Sequence, residues 1–454
     1  MNRFESLVNY AKTYGFVYQG SEIYGGLSNT WDFGPLGVTL KKLIKDSWWF
    51  EFVEKDPQMV GLDSAILMHP KVWEASGHVG GFSDPLIDCK SCKTRHRADH
   101  LIAGADIGVD ADGLSNEAIE ALIKEHHIQC PKCGKSDFTP IRSFNLMFKT
   151  ALGVTEESAQ DIYLRPETAQ GIFLNFKNVQ RTSRLKVPFG IAQIGKSFRN
   201  EITPGNFIFR TREFEQCEIE FFCAPGTEVE WFNHYKEKMA SYLESLGIAQ
   251  EHLKFYDHPK EKLSHYSNMT TDVTYLFPWG FDELWGLASR TDFDLKQHQT
   301  YSKETLDYID PVTNERYVPY VVEPSLGVER LFLAILNEAY QEEVIGDETR
   351  TLLKISPKLA PFQVAVFPLI KKRHQALADE LFEKLLGRFR VTKDEAGAIG
   401  RRYRRQDAIG TPICITIDDE SLEDNTVTLR DRDTMTQTKV AIDDIVSTLE
   451  KQFT

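Results

Sequence analysis

The sequence predicts an α+β fold, an antiparallel sheet with helices packed on it, followed by a smaller C-terminal α/β domain. Three observations predict it. Strand-like and helical runs are segregated, not strictly alternating, between Asp161 and Leu336. A proline-punctuated stretch, Lys354 to Phe362 with Pro357 and Pro361, then reads as a linker. Beyond it, strand and helix patterns alternate. A chain of 454 residues has room for about three domains.

In order, residues 1–85 open on apolar Phe4, Leu7, Val8 and Ala11, the spacing of an amphipathic helix over Met1 to Phe16. Glu5 and the lack of an apolar central run argue against a secretory leader. Residues 86–160 read as an insertion carrying two CxxC pairs, polar runs and a helix near Ser115 to His127. Residues 161–355 resume the core, with strand-like Gly190–Ile194, Phe207–Phe209 and Glu218–Cys223. Alternation in Glu218-Ile219-Glu220-Phe221 predicts a half-polar strand. A polar insertion is expected at about 226–316, and an apolar helix over Leu331–Tyr340 after a glycine turn. In residues 360–454, strands are expected at Gln363–Pro368, Phe389–Thr392, Ile413–Ile417, Asn425–Arg430 and Gln437–Val440, with helices at Lys371–Leu386 and Asp443–Lys451.

Composition narrows the function. Hydrophobic residues at 41% and charged residues at 26% are globular values, too apolar for a disordered chain. No apolar run approaches the ~18 residues of a membrane span. Seven cysteines in a chain this long do not make a disulfide scaffold, and a reducing cytosol fits best. A net charge of −14 excludes a histone-like binder of nucleic acid. Its distribution is uneven: residues 361–454 hold 15 Lys and Arg against 16 Asp and Glu, leaving −13 for residues 1–360. In that near-neutral tail Arg401, Arg402, Arg404 and Arg405 bracket Tyr403.

Two constellations carry chemistry. Phe198-Arg199-Asn200-Glu201, then Pro204-Gly205, then Phe209-Arg210-Thr211-Arg212-Glu213-Phe214-Glu215-Gln216-Cys217-Glu218 reads as a hairpin. Strand geometry would set Arg199 and Glu201 on one face. Arginine's planar fork grips phosphate bidentately and stacks on rings, so this face suits a charged, ring-bearing ligand. An exposed hairpin of weak surface ion pairs has the same spacing. The second is Glu323-Pro324-Ser325-Leu326-Gly327-Val328-Glu329-Arg330, opening an apolar helix. Arg330 there needs a partner, either Glu329, Glu323 or a bound anion.

Together these segments resemble motifs 2 and 3 of the class II aminoacyl-tRNA synthetases. Five more segments are similar to those of the glycyl-tRNA synthetases. They are Trp31-Asp32-Phe33-Gly34-Pro35-Leu36-Gly37, Ala75-Ser76-Gly77-His78-Val79, Arg95-His96-Arg97-Ala98-Asp99, Arg165-Pro166-Glu167-Thr168-Ala169-Gln170-Gly171 and Gly400-Arg401-Arg402-Tyr403. The resemblance spans the chain and points to the single-polypeptide, homodimeric form. It implies a class II antiparallel catalytic core with insertions and a C-terminal anticodon-binding domain. It also implies a cytoplasmic, non-membrane enzyme that activates glycine with ATP and Mg²⁺ and transfers it to tRNA(Gly).

Residue by residue, the resemblance implies that Arg199 holds the α-phosphate of ATP. Arg330 holds the γ-phosphate end and lies on one face of adenine, with Phe214 on the other. Glu201 meets the adenine amino group. Asn200, Phe209, Arg210, Thr211, Arg212, Glu213, Leu284, Gly327, Val328 and Glu329 complete the implied ATP site. Glu283, in Phe281-Asp282-Glu283-Leu284-Trp285-Gly286, is the implied Mg²⁺ ligand. Glu167, Glu323 and Ser325 take glycine's ammonium, with Arg97 and Arg290 near its carboxylate and Glu218 assisting. Glu215, Gln216, Cys217, Pro324 and Leu326 fall in the same glycine-binding segments. Pro70 matches the motif 1 proline of the dimer interface. Glycine has no smaller rival, so a hydrolytic editing domain is not required.

Cys89-x2-Cys92 and Cys130-x2-Cys133 have the spacing of a structural Zn²⁺ ribbon, although the 37 residues between them exceed the usual ~15–20. Reduced pairs or disulfides are the alternatives. Cys217, Cys223 and Cys414 read as buried thiols. In the tail, Arg401, Arg402, Tyr403 and Arg405 are candidates to contact tRNA, where splayed bases stack on aromatics and arginines meet phosphates. The alternative for the whole chain is a non-catalytic, synthetase-like nucleic-acid-binding subunit.

Overall fold

The computed structural model describes residues 2–105, 107–111, 114–155, 159–202 and 205–453. Its centre is a seven-stranded sheet of β1 (Met59–Gly61), β2 (Phe189–Phe198), β3 (Glu213–Cys223), β4 (Leu253–Asp257), β5 (Met269–Phe277), β6 (Gly280–Thr291) and β7 (Tyr320–Gly327). The strand order is β4-β5-β6-β7-β3-β2-β1, antiparallel throughout except where β1 joins β2 in parallel. The stretch expected as a polar insertion, 226–316, supplies β4, β5 and β6 and is integral to the sheet. Its polarity misled because β4 is an edge strand with an exposed face, and the middle of β6 lines a cleft.

One face of the sheet is sealed by three helices, α2 (Pro35–Trp49), α4 (Glu228–Ser245) and α5 (Val328–Ala339). Leu40, Ile44 and Trp48, Tyr235 and Met239, and Leu331 and Ile335 pack on Ile219, Phe221, Trp285 and Leu326. Helix α1 (Arg3–Thr13) starts where the residues expect it, with a capping box in which Asn2 Oδ1 accepts from Glu5 N at 2.8 Å. Gly37 in α2 is required by close approach: a Cβ there would stand 1.8 Å from the Phe16 carbonyl oxygen. On the other face α3 (Ala169–Thr182) stacks Phe173 and Phe176 against Phe222 and Phe189.

The expected half-polar strand is fully buried: Glu218 and Glu220 are inside, as are Ile219 and Phe221. The expected hairpin is corrected as well. β2 and β3 do pair antiparallel, but the pairing ends at Phe198 and Glu213, so Arg199, Asn200 and Glu201 lie past the strand end. Phe207–Phe209, expected as a strand, is a buried aromatic turn closed by the Gly205–Arg210 bridge. Pro204 lies outside the described residues.

Between residues 83 and 145 a three-stranded sheet (Ser83–Asp88, Arg95–Arg97, Arg142–Asn145) carries helices Ala98–Gly104 and Asn116–Glu125. The C-terminal domain is a five-stranded mixed sheet with helices Lys371–Leu385, Ile399–Ile409 and Ile445–Phe453, and its own apolar core. The connecting stretch is docked rather than loose. Arg390 donates to the carbonyls of Pro357, Lys358 and Ala360, and Leu359 and Ala360 are buried. Buried Asp407 accepts from Arg350 Nε at 2.9 Å and Arg430 Nη1 at 2.7 Å, tying this domain to the hairpin that follows α5.

Candidate active site

A cleft opens on the face of the sheet opposite α2, α4 and α5. Period-2 geometry and register build its floor. Gln216 and Glu218 on β3 stand across from Gly327 and Ser325 on β7. Gly286 and Ala288 on β6 stand across from Ser325 and Glu323. The intervening residues, Cys217, Leu326 and Trp285, point into the core. Arg290 enters from the same strand β6.

The floor is strongly acidic. Glu218 accepts from Thr168 and, at 2.7 Å, from Ser325 Oγ. Glu323 accepts from Arg290 Nη1 at 2.7 Å. Arg290 also binds Asp294 through Nε at 2.7 Å and Nη2 at 2.9 Å, beneath the Tyr266 ring. Burial, and then the charge of Glu167, raises Glu218. Burial pushes Glu323 up, Arg290 draws it back, and Glu218 and Glu167 push again, leaving it at about 8. Glu167 goes the other way. Burial would raise it, but His78 (Nε2 to Oε2, 3.4 Å), Arg290 and a 2.9 Å bond from Gln170 hold it below the usual carboxylate range.

The rim carries the arginines. Arg199 donates to the Pro166 carbonyl at 3.0 Å and lies between the rings of Phe214 (5.3 Å) and Phe82 (5.4 Å). Arg330, at the start of α5, stacks on Phe209 at 4.3 Å and meets Glu283 Oε2 at 3.0 Å. Its partner is therefore Glu283, not Glu329 or Glu323. Glu329 instead binds buried Lys41 at 2.5 Å and the Glu215 backbone N–H at 2.9 Å. Lys41 also binds Glu215 at 2.8 Å and lies 4.2 Å from the Phe33 ring, so Phe33 braces β3 and α5 from behind.

The segment Arg165–Gly171 threads the whole site. Arg165 donates to the carbonyls of Lys196 and Ser64, and Pro166 receives Arg199. Glu167 faces the cleft, Thr168 caps Glu218, and Gln170 bridges Glu167 and Asp294. A Cβ on Gly171 would stand 2.0 Å from Ser64 Oγ, so only glycine lets α3 approach there.

Of the expected residues, the cleft gathers Glu167, Arg199, Glu201, Phe209, Arg210, Thr211, Phe214, Gln216, Glu218, Glu283, Arg290, Glu323, Ser325, Gly327, Glu329 and Arg330. Others are elsewhere. Cys217, Leu284, Leu326 and Val328 are core residues on the wrong side of the alternation, and Pro324 is buried. Glu215 pairs with Lys41 and Lys45 behind the sheet, and Glu213 with Lys196. Asn200 donates its backbone N–H to Leu146, and Arg212 reaches the Ser28 carbonyl at 2.9 Å. Arg97, expected near glycine's carboxylate, binds Asp99 (2.5 Å) and Asp84 (3.2 Å) in the inserted sheet and lines a separate hollow with Arg210. Tyr266, Thr270, Gly286, Leu287 and Ala288 line the cleft without having been expected. They come from the stretch read as an insertion: Tyr266 from a turn, Thr270 from β5, and Gly286, Leu287 and Ala288 from β6.

Two outlying clusters complete the picture. Cys89, Cys92, Cys130 and Cys133 converge, with Sγ to Sγ distances of 3.6 Å (Cys89–Cys133) and 3.7 Å (Cys92–Cys130). A zinc ion about 2.3 Å from four tetrahedral sulfurs spaces them about 3.8 Å apart, so the cluster fits that ion. Each CxxC turn closes alike: Lys93 N donates to Cys89 O, and Gly134 N to Cys130 O. In the C-terminal domain Arg402 is buried, donating to Pro368 O at 2.6 Å and Gly397 O at 2.8 Å. It is a scaffold residue, not a free tRNA contact. Tyr403 bonds Thr416 at 2.6 Å, Arg405 pairs with Asp394 at 2.6 Å, and Arg401 is exposed.

Comparison with known proteins agrees with this geometry. Residues 148–339 match the tRNA synthetase class II core domain (G, H, P, S and T), and residues 363–452 match the anticodon binding domain. A glycine--tRNA ligase of Ruminiclostridium cellulolyticum is 60% identical over 99% of this chain and 98% of its own length. That of Geobacillus thermodenitrificans is 60% identical over 99% and 97%, and that of Bacillus cereus 58% over the whole of both chains. The acidic floor, the arginine rim and likeness along the full length place the chain in one family: it belongs to the glycine--tRNA ligases, class II tRNA synthetases with an anticodon binding domain.

Proposed function

We propose that the chain attaches glycine to tRNA(Gly) in two steps, forming glycyl-adenylate from ATP and passing the glycyl group to the tRNA 3′ end. The observation that carries this reading is one cleft with carboxylates on its strand-borne floor and arginines at its rim. Glycine offers only an ammonium and a carboxylate. Glu167, Glu218 and Glu323 suit the ammonium, and its carboxylate then faces the rim. There Arg199 takes the α-phosphate, Arg330 the γ-phosphate end, and Phe214 and Arg330 the two faces of adenine. The carboxylate is already a nucleophile, so no side chain need act as base. The residues align it with the phosphorus and neutralise charge as pyrophosphate leaves.

Glu283 offers one carboxylate beside Arg330, which fits a Mg²⁺ that draws its other ligands from ATP. Bound there, the ion would offset phosphate charge. The four cysteines would hold a structural zinc, remote from the cleft. The C-terminal domain would read the anticodon, with Arg401 the freest of the expected contacts. Two chains would associate as a homodimer, which light scattering tests.

A non-catalytic binding subunit is not favoured, because Arg199, Glu201, Arg330, Glu167 and Glu323 all line the cleft. The deciding experiment is ATP–pyrophosphate exchange with glycine, alanine, serine and threonine. Exchange with glycine is expected; exchange with serine or threonine but not glycine would overturn the reading.

A further inference from the structure

Glu220 belongs to neither the expected site nor the roles just assigned, yet its position is unusual. It is fully buried on β3, and neither carboxyl oxygen has a hydrogen-bond partner among the described residues. The register running through Glu218–Ser325 and Phe221–Val322 sets it opposite Glu323 on β7. Carboxylate oxygens of Glu218, Glu220 and Glu323 all lie within 4.8 Å of one another. Glu323 spends Oε2 on Arg290 Nη1 at 2.7 Å, so its Oε1 remains for a further bond.

The groups that face Glu220 can be named. Glu218 comes from its own strand, Glu323 from β7, and Arg290 from β6, the last already held by Asp294 and Glu323. On the β2 side its cross-strand neighbour is apolar Ile191. Two acids and a spoken-for guanidinium give an ionised, dry carboxylate nothing to lean on. Burial first, and then the charge of Glu323, holds the carboxyl well above the ordinary range. A carboxylic acid kept neutral in this way gains a donor it otherwise lacks.

We propose that Glu220 is a positioning residue for amino-acid activation: it stays a neutral acid and donates its O–H to Glu323, aiming that carboxylate at glycine's ammonium. This rests on the reading of the cleft as the glycine site. It explains why a carboxyl without a partner is kept beneath a cation pocket. The proton does not move in the reaction; it orients Glu323 and spreads its charge, and Glu323, not Glu220, touches the ammonium.

The test compares Glu220→Gln, whose amide can still donate, with Glu220→Leu, which keeps the volume and loses the donor. Pyrophosphate exchange should give Glu220→Gln a glycine KM within about threefold of the parent. Glu220→Leu should raise glycine KM about tenfold or more with ATP KM unchanged, the scale of one hydrogen bond to a charged group. Infrared spectra of the unliganded protein at about pH 9, where Glu323 is ionised, should show a protonated-carboxyl C=O stretch that Glu220→Gln removes. A tenfold rise for Glu220→Gln, no effect of Glu220→Leu, or no lost band overturns the proposal. If Glu220→Leu does not fold, the Gln variant and the spectrum decide alone. Failure of the glycine reading is separable: the parent would then exchange with another amino acid, and the spectrum would still judge Glu220.

Discussion

Raising the pH from 7 to 8 should tighten glycine binding while leaving ATP binding nearly unchanged. Glu323 is 8% exposed, sits between Glu220 and Arg290, and has its carboxyl held at about 8. An ammonium binds the carboxylate, not the acid. The sign follows directly: the group is raised, so its charged form is scarce below about pH 8 and grows as pH climbs through that value. The ionised fraction goes from about one-tenth at pH 7 to about one-half at pH 8, so glycine KM should fall about fivefold. ATP KM, set at the arginine rim, is the internal control. Glu323→Gln removes the titration and a charge-assisted bond of about 1.5–3 kcal/mol, which raises glycine KM roughly 10- to 150-fold. The assay is glycine-dependent pyrophosphate exchange at saturating ATP, read at closely spaced pH values. A glycine KM flat between pH 7 and 8, or a Glu323→Gln variant that keeps the parent's slope, would refute the reasoning.

Four further outcomes follow from the same structure. Arg402→Ala strips donors from the Pro368 and Gly397 carbonyls, so it should lower the C-terminal domain's stability by about 1–3 kcal/mol in urea unfolding. Arg401→Ala, at an exposed position, should leave stability and pyrophosphate exchange alone and weaken tRNA charging; equal loss in both assays would contradict the division of labour. Metal analysis should find one zinc per chain, lost when Cys92 and Cys133 are changed to serine, with exchange largely retained. Asp407→Asn leaves buried Arg430 without its anion and removes one of the two carboxylates on Arg350, which keeps Glu343; it should cost about 3 kcal/mol, seen as a lower Tm.

What was legible in the residues was the part governed by local rules. The Glu218–Glu220 alternation, the Gly327 turn into α5, the CxxC spacing and the strand–helix alternation after Pro361 each follow from periodicity or ligand spacing. What failed depended on where distant segments meet. Arg97 carries the right charge for a carboxylate, but Asp84 and Asp99, one across the inserted sheet, claim it. Arg402 looks like a phosphate contact until the carbonyls of Pro368 and Gly397 surround it. A consecutive run such as Glu215-Gln216-Cys217-Glu218 cannot enter one site whole, because a strand offers only every second residue to one face. His78 and Tyr266 reach the site across more than 80 and 20 residues respectively from Glu167 and Arg290, and no spacing rule relates them.

The opposition of sign within the cleft has a structural origin that bears on the chemistry. Carboxylates sit at mid-strand positions of β3 and β7, where register pins them and burial keeps them dry. The rim arginines sit where a strand ends or a helix begins, Arg199 on the Pro166 carbonyl and Arg330 on Glu283. On the proposed reading, glycine as a zwitterion can lie only one way between these halves, ammonium on the floor and carboxylate toward Arg199. Ground-state electrostatics thus point the nucleophile at the α-phosphate before any barrier is climbed, which is the orientation that effective-molarity arguments require. The chain's total of −14 says nothing of this, because the charge that matters is sorted over a few ångströms within one cleft. Neutralising one member of the floor, as in Glu323→Gln, should therefore damage glycine activation more than any equal change in net charge made on the surface.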